Sequence, residues 1–273
     1  MKYKPLELRI MLYDEVHRLR QKGLTYKEVI QEVERSHGVR LPISTVYFWL
    51  KGVYNPRRGI KLLPESLKPS RELSWVIGVI AGDGSTWATK YNYNIRLKCK
   101  EFEFAKEFAR CLEAIGCKPW IGMQDGYYIV SGYSRILYNL LKKPLDLEKL
   151  KYYIEYNEKT ITGFLRGLFD SEGYVNKIGY VLIYNTDLTL LDYVKRLLLT
   201  LKIEATGPHL HTGTGEGTLL HNKKTGKTYY RRKNLYYLYI KASSLERFAV
   251  LIGFSIKRKM NKLLKIRFAS VPF

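Results

Sequence analysis

Cysteine is sparse in this sequence, and none of it has a metal-binding spacing. Cys99, Cys111 and Cys117 are the only three in 273 residues and form no C-x-x-C pair. That speaks against a zinc site or a disulfide framework. Long apolar runs are missing too. None approaches the roughly 20 residues needed to cross a bilayer, so no membrane partner is expected. The opening stretch MKYKPLELRIMLYDEVHRLRQKG is interrupted by charge and lacks the apolar centre of a signal peptide. These absences predict an intracellular protein of the cytoplasm or nucleoid. Gln (three) and Met (four) are scarce, which leans toward a prokaryotic, thermophilic source. Acids are outnumbered: 25 Asp and Glu face 47 Lys and Arg, a net charge of +22. So basic a chain is expected to meet a polyanion, nucleic acid first. A hydrophobic fraction of 46% still supplies a core and argues against disorder.

Three short helices are expected in the first 55 residues. Leu8, Met11, Leu12, Val16 and Leu19 share one helical face over 6–22. Thr25 can cap a second helix that buries Val29, Ile30 and Val33 and ends at Gly38. Ser44 can cap a third, STVYFWLKG, burying Val46, Trp49 and Leu50. Three helices of this length fit a helix-turn-helix domain over 1–55, whose last helix would enter the major groove. Ser44, Thr45, Tyr47 and Lys51 would be its outward readers; a plain three-helix bundle is the alternative. Residues 56–70 read as a basic linker, rich in proline through the stretch GVYNPRRGIKLLPESLKPS, with Arg57 and Arg58 able to follow a phosphate backbone.

From residue 71 the pattern helix, hairpin, helix, hairpin, helix appears once over 71–157 and again over 158–273. This predicts an α+β protein with internal pseudo-two-fold symmetry, expected to be a monomer. Each half opens on a peculiar segment: VIGVIAGDG at 76–84 and LRGLFDSEG at 165–173. Ser74, Gly78 and Gly82 step by four, as do Gly163, Gly167 and Ser171, so each trio lies on one helical face. A glycine within a helix costs roughly 1 kcal/mol relative to alanine. Two in one short helix imply close backbone approach, here of one segment to the other.

Each segment ends in an acid followed by glycine: Asp83 with Gly84, Glu172 with Gly173. The glycines suit a left-handed helix end. The acids sit badly at the negative end of a helix dipole, and side-by-side helices would bring them together. A hard cation relieves both conflicts. Mg²⁺, with Mn²⁺ as a substitute, is therefore expected at Asp83 and Glu172, beside the backbone oxygens of Gly82 and Ser171. Ordinary turn acids are the competing reading.

These two segments, with the αββαββ order after each, resemble the paired motifs of the single-chain LAGLIDADG homing endonucleases over about residues 71–265. The resemblance implies two αββαββα halves whose antiparallel sheets form a DNA-binding saddle, with the motif helices between them. It implies a metal-dependent endonuclease that cuts both strands of double-stranded DNA at a specific site, in the context of intron or intein mobility. Asp83 and Glu172 match the metal-binding acids. Asp170 matches an earlier acidic letter of the motif, where the first copy has Ala81. Lys100 falls where such enzymes often keep a lysine; the second half offers Thr186 there, with Asn185 as a polar neighbour and Lys177 on the adjacent strand. Alternatives on the same scaffold are a non-cleaving DNA-binding regulator and an RNA-binding intron maturase. Retention of both acids favours the nuclease. A free-standing intein is disfavoured because no Cys or Ser opens the chain and no His-Asn pair closes it.

Within the strand NIRLKCK, Arg96, Lys98 and Lys100 alternate with Ile95, Leu97 and Cys99, giving one basic and one apolar face. The stretch HNKKTGKTYYRRKN carries Lys223, Lys224, Lys227, Arg231 and Arg232 between aromatics and reads as a long hairpin along DNA, or as a disordered loop when DNA is absent.

Overall fold

The computed structural model describes residues 4–52, 55–56, 67–90, 92–212, 215–221 and 226–268. The chain divides into two compact units, Met1–Lys61 and Leu62–Phe273.

The first unit contains α1 (Leu6–Gln21), α2 (Tyr26–His37) and α3 (Ile43–Leu50). They close around Leu12, Val16, Leu19, Val29, Val33, Leu41, Val46 and Trp49. Thr25 caps α2 through a reciprocal pair: Glu28 N–H donates to Thr25 Oγ1, and Thr25 N–H donates to Glu28 Oε2. Gly38 ends it in the left-handed region at φ 62°. The start of α3 differs from expectation. Pro42, not Ser44, holds the cap position; its φ of −61° is preset, and its carbonyl accepts from Thr45 N and Val46 N. Ser44 lies one residue inside the helix.

The second unit is α+β, with two halves of the same design. The first runs α4 (Arg71–Ala81), β1 (Ser85–Ala88), β2 (Tyr93–Cys99), α5 (Phe102–Ala114), β3 (Pro119–Gln124), β4 (Tyr127–Tyr133), α6 (Arg135–Leu141) and α7 (Leu147–Ile154). The second runs α8 (Glu158–Glu172), β5 (Gly173–Val175), β6 (Val181–Asn185), α9 (Leu188–Thr200), β7 (Ala205–Leu210), β8 (Leu219–His221), β9 (Thr228–Tyr230), β10 (Tyr236–Ile240), α10 (Leu245–Leu251) and α11 (Lys257–Phe268). The first sheet has order β1-β2-β4-β3 and the second β5-β6-β10-β7, all neighbours antiparallel. With β10 standing for β4, the two orders are identical. The small hairpin β8–β9 is inserted before the last strand of the second sheet.

The glycine stripes explain how the halves join. A methyl group on Gly78 would stand 2.1 Å from Phe164 O, and one on Gly167 2.2 Å from Trp75 O. On Gly163 it would meet Arg71 O at 2.6 Å, and on Gly82 Ser171 Cβ at 2.5 Å. Only hydrogen fits at these four crossings. The pairings climb together, Arg71 with Gly163 and then Gly82 with Ser171, so α4 and α8 run in the same direction and their C-terminal ends meet. Val76, Ile77, Val79, Ile80, Leu165, Leu168 and Phe169, off the stripe, are all buried in one continuous core. Ser74 departs from the expected role: its hydroxyl donates to Tyr153 O of α7 at 2.7 Å.

Candidate active site

Asp83 and Glu172 sit where the two motif helices end side by side. Gly82 makes the approach possible, since a methyl there would lie 3.1 Å from Glu172 Cγ. The two following glycines are not in the expected left-handed turn. Gly173 has φ −74° and ψ 144°, and its amide still donates to Phe169 O. Gly84 donates to Val79 O at 2.8 Å. Both enter their strands directly, with no reversal that needs positive φ. Their lack of a side chain serves clearance instead: a methyl on Gly84 would meet Ile80 Cδ1 at 2.5 Å, and one on Gly173 Phe169 O at 2.3 Å.

Asp83 is exposed to solvent and Glu172 is half-buried. Enough protein nevertheless surrounds both to push their carboxyls above the ordinary range. For Asp83 the cause is chiefly lost hydration, opposed first by the Lys259 charge. For Glu172 it is lost hydration and then the neighbouring charge of Asp83, opposed by Lys143 and Lys259. An acid pair that destabilises itself in this way is a place where a cation is welcome.

Asp83 opens onto a cleft of about 380 Å³ that Lys98, Lys100, Glu101, Asp170, Ser171 and Lys259 also line. The structure therefore brings together Asp83, Lys98, Lys100 and Ser171, four of the residues singled out from sequence. Lys98 and Lys100 both lie over the Tyr127 ring, at 4.8 Å and 5.4 Å from its centre, and Arg96 lies 5.8 Å from that of Trp87. On the second side, Asn185 lies two residues beyond Ile183, whose strand partner is Gly173. Its Oδ1 accepts from Asp187 N at 2.9 Å, which leaves its amide NH₂ free of that turn. Thr186 and Lys177 are exposed, Lys177 in the turn between β5 and β6.

Asp170 borders this cleft but is closed off from solvent. It is 1% exposed, and its Oδ1 accepts from Ser255 N at 2.8 Å and Ile256 N at 3.4 Å, fixing the approach to α11. Burial pushes its carboxyl up to about 6, against those hydrogen bonds.

Two lysines escaped the sequence reading. Lys143 Nζ donates to Gly82 O at 3.1 Å. Lys259 Nζ donates to Asp170 O at 2.6 Å, Phe169 O at 3.2 Å and Ser171 O at 3.5 Å. Each ammonium thus closes the carbonyl end of one motif helix. Gly82 O and Ser171 O, expected as metal ligands, accept from these lysines; each carbonyl retains a second lone pair.

The remaining basic candidates are spread over both units. On α3, Ser44 and Tyr47 are exposed and Thr45 is half-buried; Lys51, the residue that caps its C-terminal end, is exposed. Lys227 is exposed in the loop before β9, and Arg231 and Arg232 follow that strand, lining a shallow groove with Thr186, Tyr229 and Tyr230. The expected long hairpin is a short one, Leu219–His221 against Thr228–Tyr230. Arg57, Arg58, Lys223 and Lys224 lie outside the described residues.

The model of the LAGLIDADG-like domain matches residues 159–253. A protein from Methanocaldococcus jannaschii, described as uncharacterized protein MJ0398, is 32% identical over 265 residues, covering 93% of this chain and 92% of its own length. The chain belongs to the LAGLIDADG family. A second relative from the same organism, uncharacterized protein MJ0314, is 37% identical over 153 residues, 51% of this chain and 57% of its own. Among solved structures, I-DmoI in complex with DNA and Ca shares the fold of this LAGLIDADG chain at a TM-score of 0.51 and 20% identity, covering 72% of it and 98% of the I-DmoI chain. Full-length DUF199/WhiA from Thermatoga maritima aligns with 75% of this chain and 62% of its own at 16% identity and a TM-score of 0.46. No helix among the described residues is long and apolar enough to cross a membrane.

Proposed function

We propose that the protein is a site-specific endonuclease that hydrolyses one phosphodiester on each strand of double-stranded DNA. One observation carries this reading: Asp83 and Glu172 end two helices that touch backbone to backbone, so one chain presents two carboxylates about a pseudo-two-fold axis. Two acids related in this way match the two strands of a duplex, and no second copy is needed to complete the pair. I-DmoI, whose fold is shared, has been solved in complex with DNA and a divalent ion.

The donor set fits a hard cation. Among the described residues no group of three or more His, Cys, Asp or Glu forms a metal cage. Two carboxylates with nearby carbonyl oxygens suit Mg²⁺ or Mn²⁺, which keep water and phosphate in their shells. Asp83 and Glu172 would hold the ion, with Gly82 O and Ser171 O in reach. When bound, it would neutralise phosphate charge and ease deprotonation of a water. In the reaction a water oxygen bonds to phosphorus, the bond from phosphorus to the 3′ oxygen breaks, and that oxygen takes up a proton. Lys100, beside Asp83 in the cleft, would face the phosphate of one strand. The free amide of Asn185 would orient groups on the other, where Thr186 supplies no cation.

Arg96 and Lys98 on the first sheet, and Lys227, Arg231 and Arg232 near the inserted hairpin, would hold the duplex through its phosphates. Ser44, Thr45 and Tyr47 of α3, with Lys51 at its C-terminal end, would add a second reading head. The net charge of +22 supports a polyanionic partner.

A second reading, a binder that does not cut, is favoured by one observation: Lys143 and Lys259 already donate to the helix-end carbonyls. Incubation of the protein and its Asp83→Asn variant with DNA and Mg²⁺ separates the two. Cleavage lost in the variant with binding retained supports the nuclease; binding without cleavage by either supports the binder.

A further inference from the structure

The two lysines stand at the ends of the motif helices. Lys143 Nζ donates to the carbonyl of Gly82, the residue before Asp83. Lys259 Nζ donates to the carbonyls of Asp170 and Ser171, the residues just before Glu172, and lines the cleft onto which Asp83 opens. Each ammonium therefore occupies backbone oxygens beside one of the two acids. A divalent cation bound by one of these acids would seek the same surroundings.

The lysines come from different parts of the fold. Lys143 lies in the loop between α6 and α7. Lys259 lies in the first turn of α11, whose approach is pinned by Asp170 at Ser255 N and Ile256 N. Glu101 and Arg258 also face Lys259; they pair with each other at 3.0 Å. A lysine ammonium is compact, carries three donors and sits on a flexible stem that can withdraw.

We propose that Lys143 and Lys259, seated on the carbonyls that precede Asp83 and Glu172, are built-in cations at the ends of the two motif helices, and that a divalent metal ion binds there by displacing their ammonium groups. The proposal rests on the reading of Asp83 and Glu172 as metal ligands. It gives the lysines a role opposite to simple support, because removing either should strengthen metal binding. The protein would hold metal weakly, and the lysines would set how weakly.

The test is calorimetric titration of the full DNA-free chain with Mn²⁺, for wild type, Lys143→Met, Lys259→Met and Asp83→Asn. Thermal melting in EDTA and in Mn²⁺ accompanies it. Both lysine variants should bind Mn²⁺ about tenfold more tightly or better. They should melt lower than wild type in EDTA and recover more of that loss in Mn²⁺. Asp83→Asn should bind less. Wild-type binding that stays unchanged or weakens in both lysine variants overturns the displacement while leaving the metal site standing. Failure of every form to bind Mn²⁺ overturns the metal reading beneath it. If Lys259→Met folds poorly, Lys143→Met still decides, because Lys143 lies on an exposed loop.

Discussion

Gly78 lies so close to Phe164 that a methyl group on it would stand 2.1 Å from the Phe164 carbonyl oxygen. Backbone cannot give way there as a side chain can. Gly78→Ala should therefore destabilise the protein, although alanine is the better helix former by roughly 1 kcal/mol. Overpacking costs about 1–3 kcal/mol, and a clash with backbone belongs at the upper end. Urea denaturation should show a net loss of about 2 kcal/mol. Any gain in stability would contradict this account of the interface.

Asp170 gives a pH signature. Its native carboxyl titrates near 6, well above the ordinary Asp value of about 3.9. Between those values the folded protein keeps a proton that the unfolded chain releases. Stability from this group is therefore greatest below about pH 4, falls as pH rises to about 6, and is level above it. Asp170→Asn keeps an oxygen acceptor for Ser255 N and Ile256 N and removes the titration. The difference in melting temperature between wild type and Asp170→Asn should shift in the variant's favour as pH rises from 4 to 6. A difference that stays flat over this range would show that Asp170 does not titrate as described.

These two sites show what could be read from sequence. The glycine stripes were legible because helix period alone puts Gly78 with Gly82 and Gly163 with Gly167. The alternation Arg96, Lys98, Lys100 was legible for the same reason in a strand. The role of Gly84 and Gly173 was misread, because the Asp-Gly and Glu-Gly pairs carry the signature of a turn and give no sign that a strand follows at once. Helix α7 was missed: it is eight residues long and buries only Leu150 and Ile154. Lys143 and Lys259 were illegible for a deeper reason. They reach their carbonyls from 61 and 89 positions away, across a tertiary contact that no local pattern encodes. The one available hint was the cluster of basic residues at 257–262, which reads equally well as solvated surface.

Lys98 lies on the outer face of β2, above Tyr127. If it meets a phosphate, Lys98→Ala should weaken DNA binding uniformly across sequences. The slope of log affinity against log salt should drop by about one. Fluorescence anisotropy at several salt concentrations checks this. An unchanged slope would remove Lys98 from the phosphate contacts.

The first unit packs its own core around Val29, Val46 and Trp49. A chain lacking residues 1–61 should keep the fold of the second unit, seen by circular dichroism, and should keep its chemistry. DNA affinity or site selectivity should fall. A well-folded 62–273 fragment that binds and cuts as the full chain does would leave α3 without a role in recognition.

The central claim is that Asp83 and Glu172 together cut both strands of DNA. The most direct measurement exposes a randomised duplex library to the protein in Mg²⁺ and sequences the ends produced. Wild type should yield paired breaks at one recurring sequence, and both Asp83→Asn and Glu172→Gln should lose them while still retaining DNA. Recurring double-strand ends from either variant at the wild-type rate would contradict the claim, as would their absence from wild type that binds DNA.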